Sequence, residues 1–291
     1  MLKKILIANR GEIAVRIIRA CRELGIETVS IYSEADKEAL HTQIADYSVC
    51  VGPAQSKDSY LNIINILSAC VLTGCDAIHP GFGFLSENAK FAKMCEECNI
   101  KFIGPDYKTI ELMGDKSKAR EVMKKANIPV VPGYEGDIES YEKAYEIACE
   151  IGTPLMIKAS SGGGGKGIRI VKDLKDFKLN YETAKKEAKA CFGDDRVYIE
   201  KYIENPRHIE FQIIADEHKN IIHLGERECS LQINNQKVLE EAPSVFLDEK
   251  LRKKMGDIAI KVAKVVDYKN VGTIEFLVDK NKNFYFMEVN T

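Results

Sequence analysis

Residues 156–167 read Met-Ile-Lys-Ala-Ser-Ser-Gly-Gly-Gly-Gly-Lys-Gly, and this stretch restricts the fold more than any other in the chain. Glycines in such number lose too much conformational freedom to sit inside a helix or strand, so regular structure must stop on either side. Ile157 stands before the run and Ile168-Arg169-Ile170-Val171 after it. Strand, short glycine loop and strand make a hairpin. Backbone N–H groups with no side chains over them can close on an anion as a phosphate-binding nest. Gly/Ser runs also serve as flexible linkers. A linker has no use for Lys158 and Lys166 at its margins, so the phosphate reading is the stronger one. The run is neither Gly-x-x-x-x-Gly-Lys-Ser/Thr nor Gly-x-Gly-x-x-Gly at a strand-to-helix turn.

The chain has 291 residues, enough for two or three domains and a substantial core. Its 42 basic and 44 acidic residues leave a net charge of −2, which gives no electrostatic case for a nucleic acid or an anionic membrane as partner. No stretch approaches the ~20 apolar residues of a membrane span. The start Met1-Leu2-Lys3-Lys4-Ile5-Leu6-Ile7-Ala8-Asn9 reads as a first strand rather than a signal peptide. Nine scattered cysteines, mostly at apolar helical positions, predict reduced, buried thiols in a cytoplasmic protein. Cys95 and Cys98 have Cys-x-x-Cys spacing, but mid-helix and with no second pair, which argues against a metal or redox centre.

Residues 1–113 alternate apolar strands (5–8, 28–32, 77–79, 101–103) with helices (11–24, around 37–43, around 60–67, 86–98). Continuously apolar strands joined by helices predict an open, largely parallel sheet. The loop His79–Asn88 follows a strand. It is either a site-lining loop, as at the carboxyl ends of such strands, or a tight turn with Ser86 as helix cap. Residues 114–203 read as a small α+β unit: a basic helix at 117–126, a helix at 141–151, the lysine-glycine hairpin, a charged helix at 173–191 and a strand at 197–201. A glycine loop on such a unit suggests a lid. From 204 onward the period is 2. His208, Glu210 and Gln212 alternate with Ile209, Phe211 and Ile213, which predicts an antiparallel strand with a wet face and a core face. A strand at 220–225, a polar loop at 226–243, a helix at 248–266 and a hairpin of 272–279 with 284–290 complete the chain.

That last hairpin carries the second chemical signal. A four-residue turn at 280–283 puts Glu275 opposite Glu288, Cβ atoms roughly 5 Å apart. Facing carboxylates destabilise a sheet unless a cation or shared proton lies between them. With Asn290 two residues on, they form an oxygen-only set suited to Mg²⁺ or Mn²⁺ beside substrate phosphates. Exposed surface acids are the plainer reading of the same residues. Combined with the glycine loop, they point to a nucleoside triphosphate. Glu200-Lys201-Tyr202-Ile203, at a strand end, could serve as an adenine hinge or as a strand edge with a surface ion pair.

Seven segments (7–14, 79–88, 113–116, 158–167, 204–210, 236–243 and 287–291) together resemble biotin carboxylase, the ATP-grasp component of acetyl-CoA carboxylase and related biotin-dependent carboxylases. The resemblance runs the length of the chain. It implies an α/β fold, with an N-terminal open parallel-sheet domain (1–113) before an ATP-grasp fold made of a lid (114–203) and the start of an antiparallel-sheet domain (204–291). It implies that ATP phosphorylates bicarbonate to carboxyphosphate, which carboxylates biotin on a biotin carboxyl carrier protein. It further implies a carboxyltransferase component in a parent complex of fatty acid biosynthesis and a homodimer of the full-length chain. The family's nucleotide contacts fall on Lys116, Lys158, Gly164, Gly165, Glu200, Lys201, Tyr202, Ile203, His208, Gln232, Asn235, Glu275, Leu277 and Glu288. Its metal ligands fall on Glu275, Glu288 and Asn290, and its catalytic positions on Lys237 and Glu288.

Ile233 and Asn234 stand where the family's pattern has arginines. The chain ends at Thr291, ahead of the family's later active-site arginines, which predicts a fragment that binds MgATP but turns over little. Two rival readings are another ATP-grasp ligase, such as a carbamoyl-phosphate synthase half, and an inactive nucleotide-binding or assembly module.

Overall fold

The computed structural model describes residues 2–134, 138, 140–160, 167–234 and 236–290. Gly164, Gly165 and Asn235 therefore lie outside the described residues, as does Thr291. Among the described residues no helix is long and apolar enough to cross a membrane. The chain divides into two compact units, residues 1–111 and 112–290.

The first unit runs β1 (Lys4–Ile7), α1 (Gly11–Glu23), β2 (Glu27–Ser33), α2 (Leu40–Ile44), β3 (Tyr47–Gly52), α3 (Ile63–Leu72), β4 (Ala77–His79), α4 (Ala89–Glu97) and β5 (Lys101–Phe102). The strands lie in the order β3-β2-β1-β4-β5, and every pairing is parallel. Successive side chains of β1 point to opposite faces. Ile5 and Ile7 pack with Ile17 and Ile18 of α1, whereas Leu6 packs with Ile66 of α3 and Phe91 of α4. Helices thus cover both faces, as in doubly wound sheets, whose ligands gather where the strand order reverses. Here that is between β1 and β4. Asn9, after β1, donates from Nδ2 to the Pro80 and Phe82 carbonyls, both at 2.8 Å. Gly81 (φ +67°) must be glycine, because a Cβ there would lie 2.7 Å from Asn9 Nδ2.

Two expectations are corrected, and one strand is added. Asn88, not Ser86, caps α4, accepting from Phe91 N–H; Ser86 is buried in the loop. The strand β3 breaks the apolar pattern because it is an edge strand with Tyr47 and Cys50 exposed. All nine cysteines are free thiols, but Cys50, Cys98, Cys149 and Cys191 are exposed rather than buried.

Helix α5 (Tyr107–Gly114) leads into the second unit. There follow α6 (Lys116–Lys125), α7 (Tyr141–Ile151), β6 (Leu155–Ala159), β7 (Ile168–Val171), α8 (Phe177–Phe192) and β8 (Val197–Lys201). The antiparallel sheet β7-β6-β8 packs its Leu155, Ile157 and Ile199 on Ile147 of α7 and Tyr181 of α8. Next come β9 (Arg207–Ala215), β10 (Ile221–Ile233), β11 (Gln236–Glu241), α9 (Glu249–Val265), β12 (Asn270–Val278) and β13 (Phe284–Asn290). They form an antiparallel sheet in the order β11-β10-β9-β12-β13. Its core face sets Phe211 and Phe276 edge to face, ring centroids 6.1 Å apart, against Met255 and Val262 of α9. Burying each such ring contributes about 2–3 kcal/mol. Bridges Val130↔Phe286 and Gly133↔Glu200 tie the segment after α6 to both sheets.

The polar stretch 226–243 is not a loop. It is the second half of β10 and its partner β11. Its acids are held by partners that sequence does not display. Glu226 accepts from Arg252 Nε at 2.7 Å and Ser244 N–H at 3.1 Å, and Glu228 from Arg207 Nη1 at 2.8 Å. The predicted wet face of β9 is also corrected, since His208 and Glu210 are buried.

Candidate functional site

The expected site residues within the described part converge on the second unit. Asp115 caps α6 through the N–H groups of Ser117 and Lys118, both at 3.1 Å, and so starts the helix at Lys116. Lys116 Nζ reaches Glu288 Oε2 of β13 at 2.8 Å. Burial pulls the Lys116 ammonium down, but Glu288 outweighs it and holds the group above the ordinary lysine range. Lys158 of β6 pairs with Glu200 of β8, whose other oxygen lies 3.2 Å from Arg120 Nη1 of α6. Lys116, Arg120, Lys158, Tyr198 and Glu200 line a small pocket together with the apolar Val131, Leu277, Phe286 and Met287. Cationic groups at one part of the wall and apolar groups at another suit a ligand with a phosphate tail and a flat base.

Beside it, register pairs across β9, β12 and β13 align a second cluster. Glu275 faces Glu210 on one side and Glu288 on the other. The Glu275 carboxylate accepts from Lys237 Nζ at 2.7 Å, from His208 Nε2 and from Asn290 Nδ2. Burial alone would push its carboxyl up, yet the hydrogen bond from His208 and the Lys237 ammonium hold it down at about 2. Lys237 also pairs with Glu210; burial lowers the ammonium, and the two carboxylates more than reverse this. Gln232 Nε2 donates to His208 Nδ1 at 2.7 Å and to the Cys229 carbonyl at 2.9 Å. The proton on His208 is therefore on Nε2, toward Glu275. Arg227 Nε holds the far oxygen of Glu210 at 2.6 Å.

The β8 end is less open than its sequence implies. Lys201 N–H donates to the Pro132 carbonyl at 2.7 Å and Tyr202 N–H to that of Pro154 at 3.1 Å. Among the described residues, Ile203 N–H has no partner. Lys201 Nζ turns to the Gly152 and Thr153 carbonyls at 3.4 and 3.3 Å. Ile233 and Asn234 lie at the β10–β11 turn, with Ile233 exposed and Asn234 left-handed (φ +52°).

Sequence reasoning missed Arg120, Tyr198, Glu210 and Arg227. Arg120 follows Lys116 by four residues, so both lie on one face of α6, and that spacing was the available signal. Arg227 lay hidden in the supposed loop.

Residues 1–110 match the family described as "Biotin carboxylase, N-terminal domain", and residues 115–291 the family described as "Carbamoyl-phosphate synthase L chain, ATP binding domain". Biotin carboxylase 1 of Bacillus subtilis is 58% identical over 292 residues, an alignment covering 100% of this chain and 65% of the relative. The chain belongs to the biotin carboxylase family. It spans less than two thirds of the length of the relatives that it matches, from 65% of the Bacillus subtilis protein to 40% of a human propionyl-CoA carboxylase alpha chain. Among solved structures, a biotin carboxylase of Campylobacter jejuni in a "beta-gamma-ATP" complex superposes with a TM-score of 0.97 at 52% identity, covering 100% of this chain and 65% of that one. The biotin carboxylase domain dimer of Hydrogenobacter thermophilus 2-oxoglutarate carboxylase, with MgADP, ADP and bicarbonate, gives 0.95 at 51% identity, covering 100% and 64%. The parallel sheet, the two antiparallel sheets and the ATP-grasp arrangement are those of this biotin carboxylase family.

Proposed function

We propose that this biotin carboxylase chain binds MgATP on its second unit, as the ATP-binding part of an enzyme that phosphorylates bicarbonate to carboxyphosphate and passes the carboxyl group to biotin on a carrier protein. The observation that carries this reading is the pairing of Lys116 with Glu288 and of Lys237 with Glu275, whose carboxylates stand opposite each other across β12 and β13. The arrangement suits an exchange of partners. Lys116 and Lys237 would pass from carboxylate to phosphate oxygens, leaving Glu275 and Glu288 to hold a divalent cation with Asn290. The donor set fits Mg²⁺ or Mn²⁺: carboxylate oxygens with an amide oxygen in reach. When bound, the ion would neutralise charge on the transferring phosphoryl group.

Lys158 would hold the inner phosphates, with Gly164 and Gly165 closing over them as a lid spanning part of 114–203. Ile203 N–H would read the adenine edge, between Glu200 and Tyr202 on one side and the Leu277 side chain on the other. His208 and Gln232, already hydrogen-bonded to each other, would orient the ribose side together with Asn235. Lys237 would hold the oxygens of bicarbonate and of the phosphoryl group during transfer. The "beta-gamma-ATP", MgADP and bicarbonate named for the two similar structures support these ligands. A carboxyltransferase component, cytoplasmic location and homodimeric assembly belong to the same proposal.

Displacement of a fluorescent ATP analogue tests the reading. ATP in magnesium should displace the analogue, and GTP should do so far less well. Equal displacement by both, or no analogue binding by a folded sample, would overturn it.

A further inference from the structure

We propose that Arg120 is a positioning residue that frees Lys158 for the nucleotide, an inference that rests on the ATP-binding reading above. Glu200 is buried, at 5% exposure, and two cations share it: Lys158 on one oxygen and Arg120 on the other. Arg120 is itself only 8% exposed, and its Nη2 also donates to the Val131 carbonyl. The arginine fork thus fixes Glu200 to the segment that bridges both sheets.

The need for a second cation follows from what happens when a lysine leaves. On the ATP-binding reading, Lys116 and Lys237 would leave Glu288 and Glu275, and a divalent cation would take their place. Glu200 belongs to no such cation site. If Lys158 moved to a phosphate with no other partner present, it would leave a buried, unpaired carboxylate, and breaking a buried ion pair in this way is strongly unfavourable. Arg120 removes that obstacle, because Glu200 stays paired after Lys158 departs. Glu210 repeats the arrangement, with Lys237 on one oxygen and Arg227 on the other. In both places the lysine is the movable partner and the arginine, a rigid multidentate donor, is the fixed one.

The test is a double-mutant cycle with R120Q, E200Q and R120Q/E200Q. It reads affinity for magnesium AMPPNP and, without nucleotide, the rate at which acetic anhydride labels Lys158, followed by mass spectrometry. R120Q should weaken nucleotide binding by about tenfold, a size typical of directly coupled residues, and slow the labelling. R120Q/E200Q should recover most of both, because no carboxylate remains to retain Lys158. R120K should fall between wild type and R120Q. Circular dichroism establishes that each variant folds. A double variant as defective as R120Q, or an R120Q protein with unchanged labelling and affinity, would overturn the proposal. If wild type itself binds no nucleotide, the ATP reading fails, and the labelling cycle still decides whether Arg120 releases Lys158.

Discussion

Glu275 stands opposite Glu288 across β12 and β13, yet the residues nearer the turn are paired one step out of line with them. Phe276 faces Phe286, and Met287 is left over as a bulge. The turn is one residue longer than a four-residue loop, closed by Asp279 Oδ1 accepting from Asn281 and Asn283 N–H at 2.8 and 2.9 Å. The bulge restores the register beyond it. Bulges re-aim side chains near functional sites, and here Met287 turns into the pocket wall while both glutamates keep one face.

If these carboxylates hold the divalent cation, Glu288→Gln should lower metal affinity by at least about tenfold, since even supporting residues of metal sites give losses of that order. Nucleotide affinity in magnesium should then approach the value in EDTA. The ratio of the two affinities in wild type and variant is the measurement, and an unchanged ratio would count against the site.

The first unit should weaken in acid through His79. Its Nδ1 accepts from Gly81 N–H at 3.0 Å, which requires the neutral ring there, and burial holds its pKa down at about 4 against an ordinary 6.5. The unfolded chain therefore binds the proton first. Stability is fully present above pH 6.5 and declines as pH falls toward 4, by up to about 3 kcal/mol. Thermal unfolding between pH 7 and 4 should fall more steeply for wild type than for His79→Gln. Parallel curves would remove His79 from the account.

Asp115→Ala should cost about 1 kcal/mol of stability, the usual loss for a helix cap, and fray the turn that carries Lys116. Nucleotide affinity should drop with it, although Asp115 itself meets no ligand. A stability loss with unchanged affinity would show that Lys116 is held by Glu288 alone.

Four strands of the parallel sheet were legible because burial makes their sequence apolar, whereas the edge strand β3, with Tyr47 and Cys50 exposed, was not. The Glu275–Glu288 pair was reached from an assumed turn of the wrong length, and the bulge at Met287 made the pairing come out right. The β10–β11 hairpin was illegible for the opposite reason. Its Glu228 and Glu226 are neutralised by Arg207 and Arg252 from outside the hairpin and its Glu240 by Arg227 from within it, so a paired sheet reads as a polar loop. His208 looked like a residue of a wet surface for the same cause, as its partners Glu275 and Gln232 lie far along the sequence.

The most direct measurement is a calorimetric titration of the folded chain with magnesium AMPPNP, alongside Lys116→Gln. The account predicts one site per chain in wild type, weakened at least about tenfold by the loss of this charge-assisted contact. A well-folded wild-type chain that releases no heat and binds no nucleotide at millimolar ligand would contradict it.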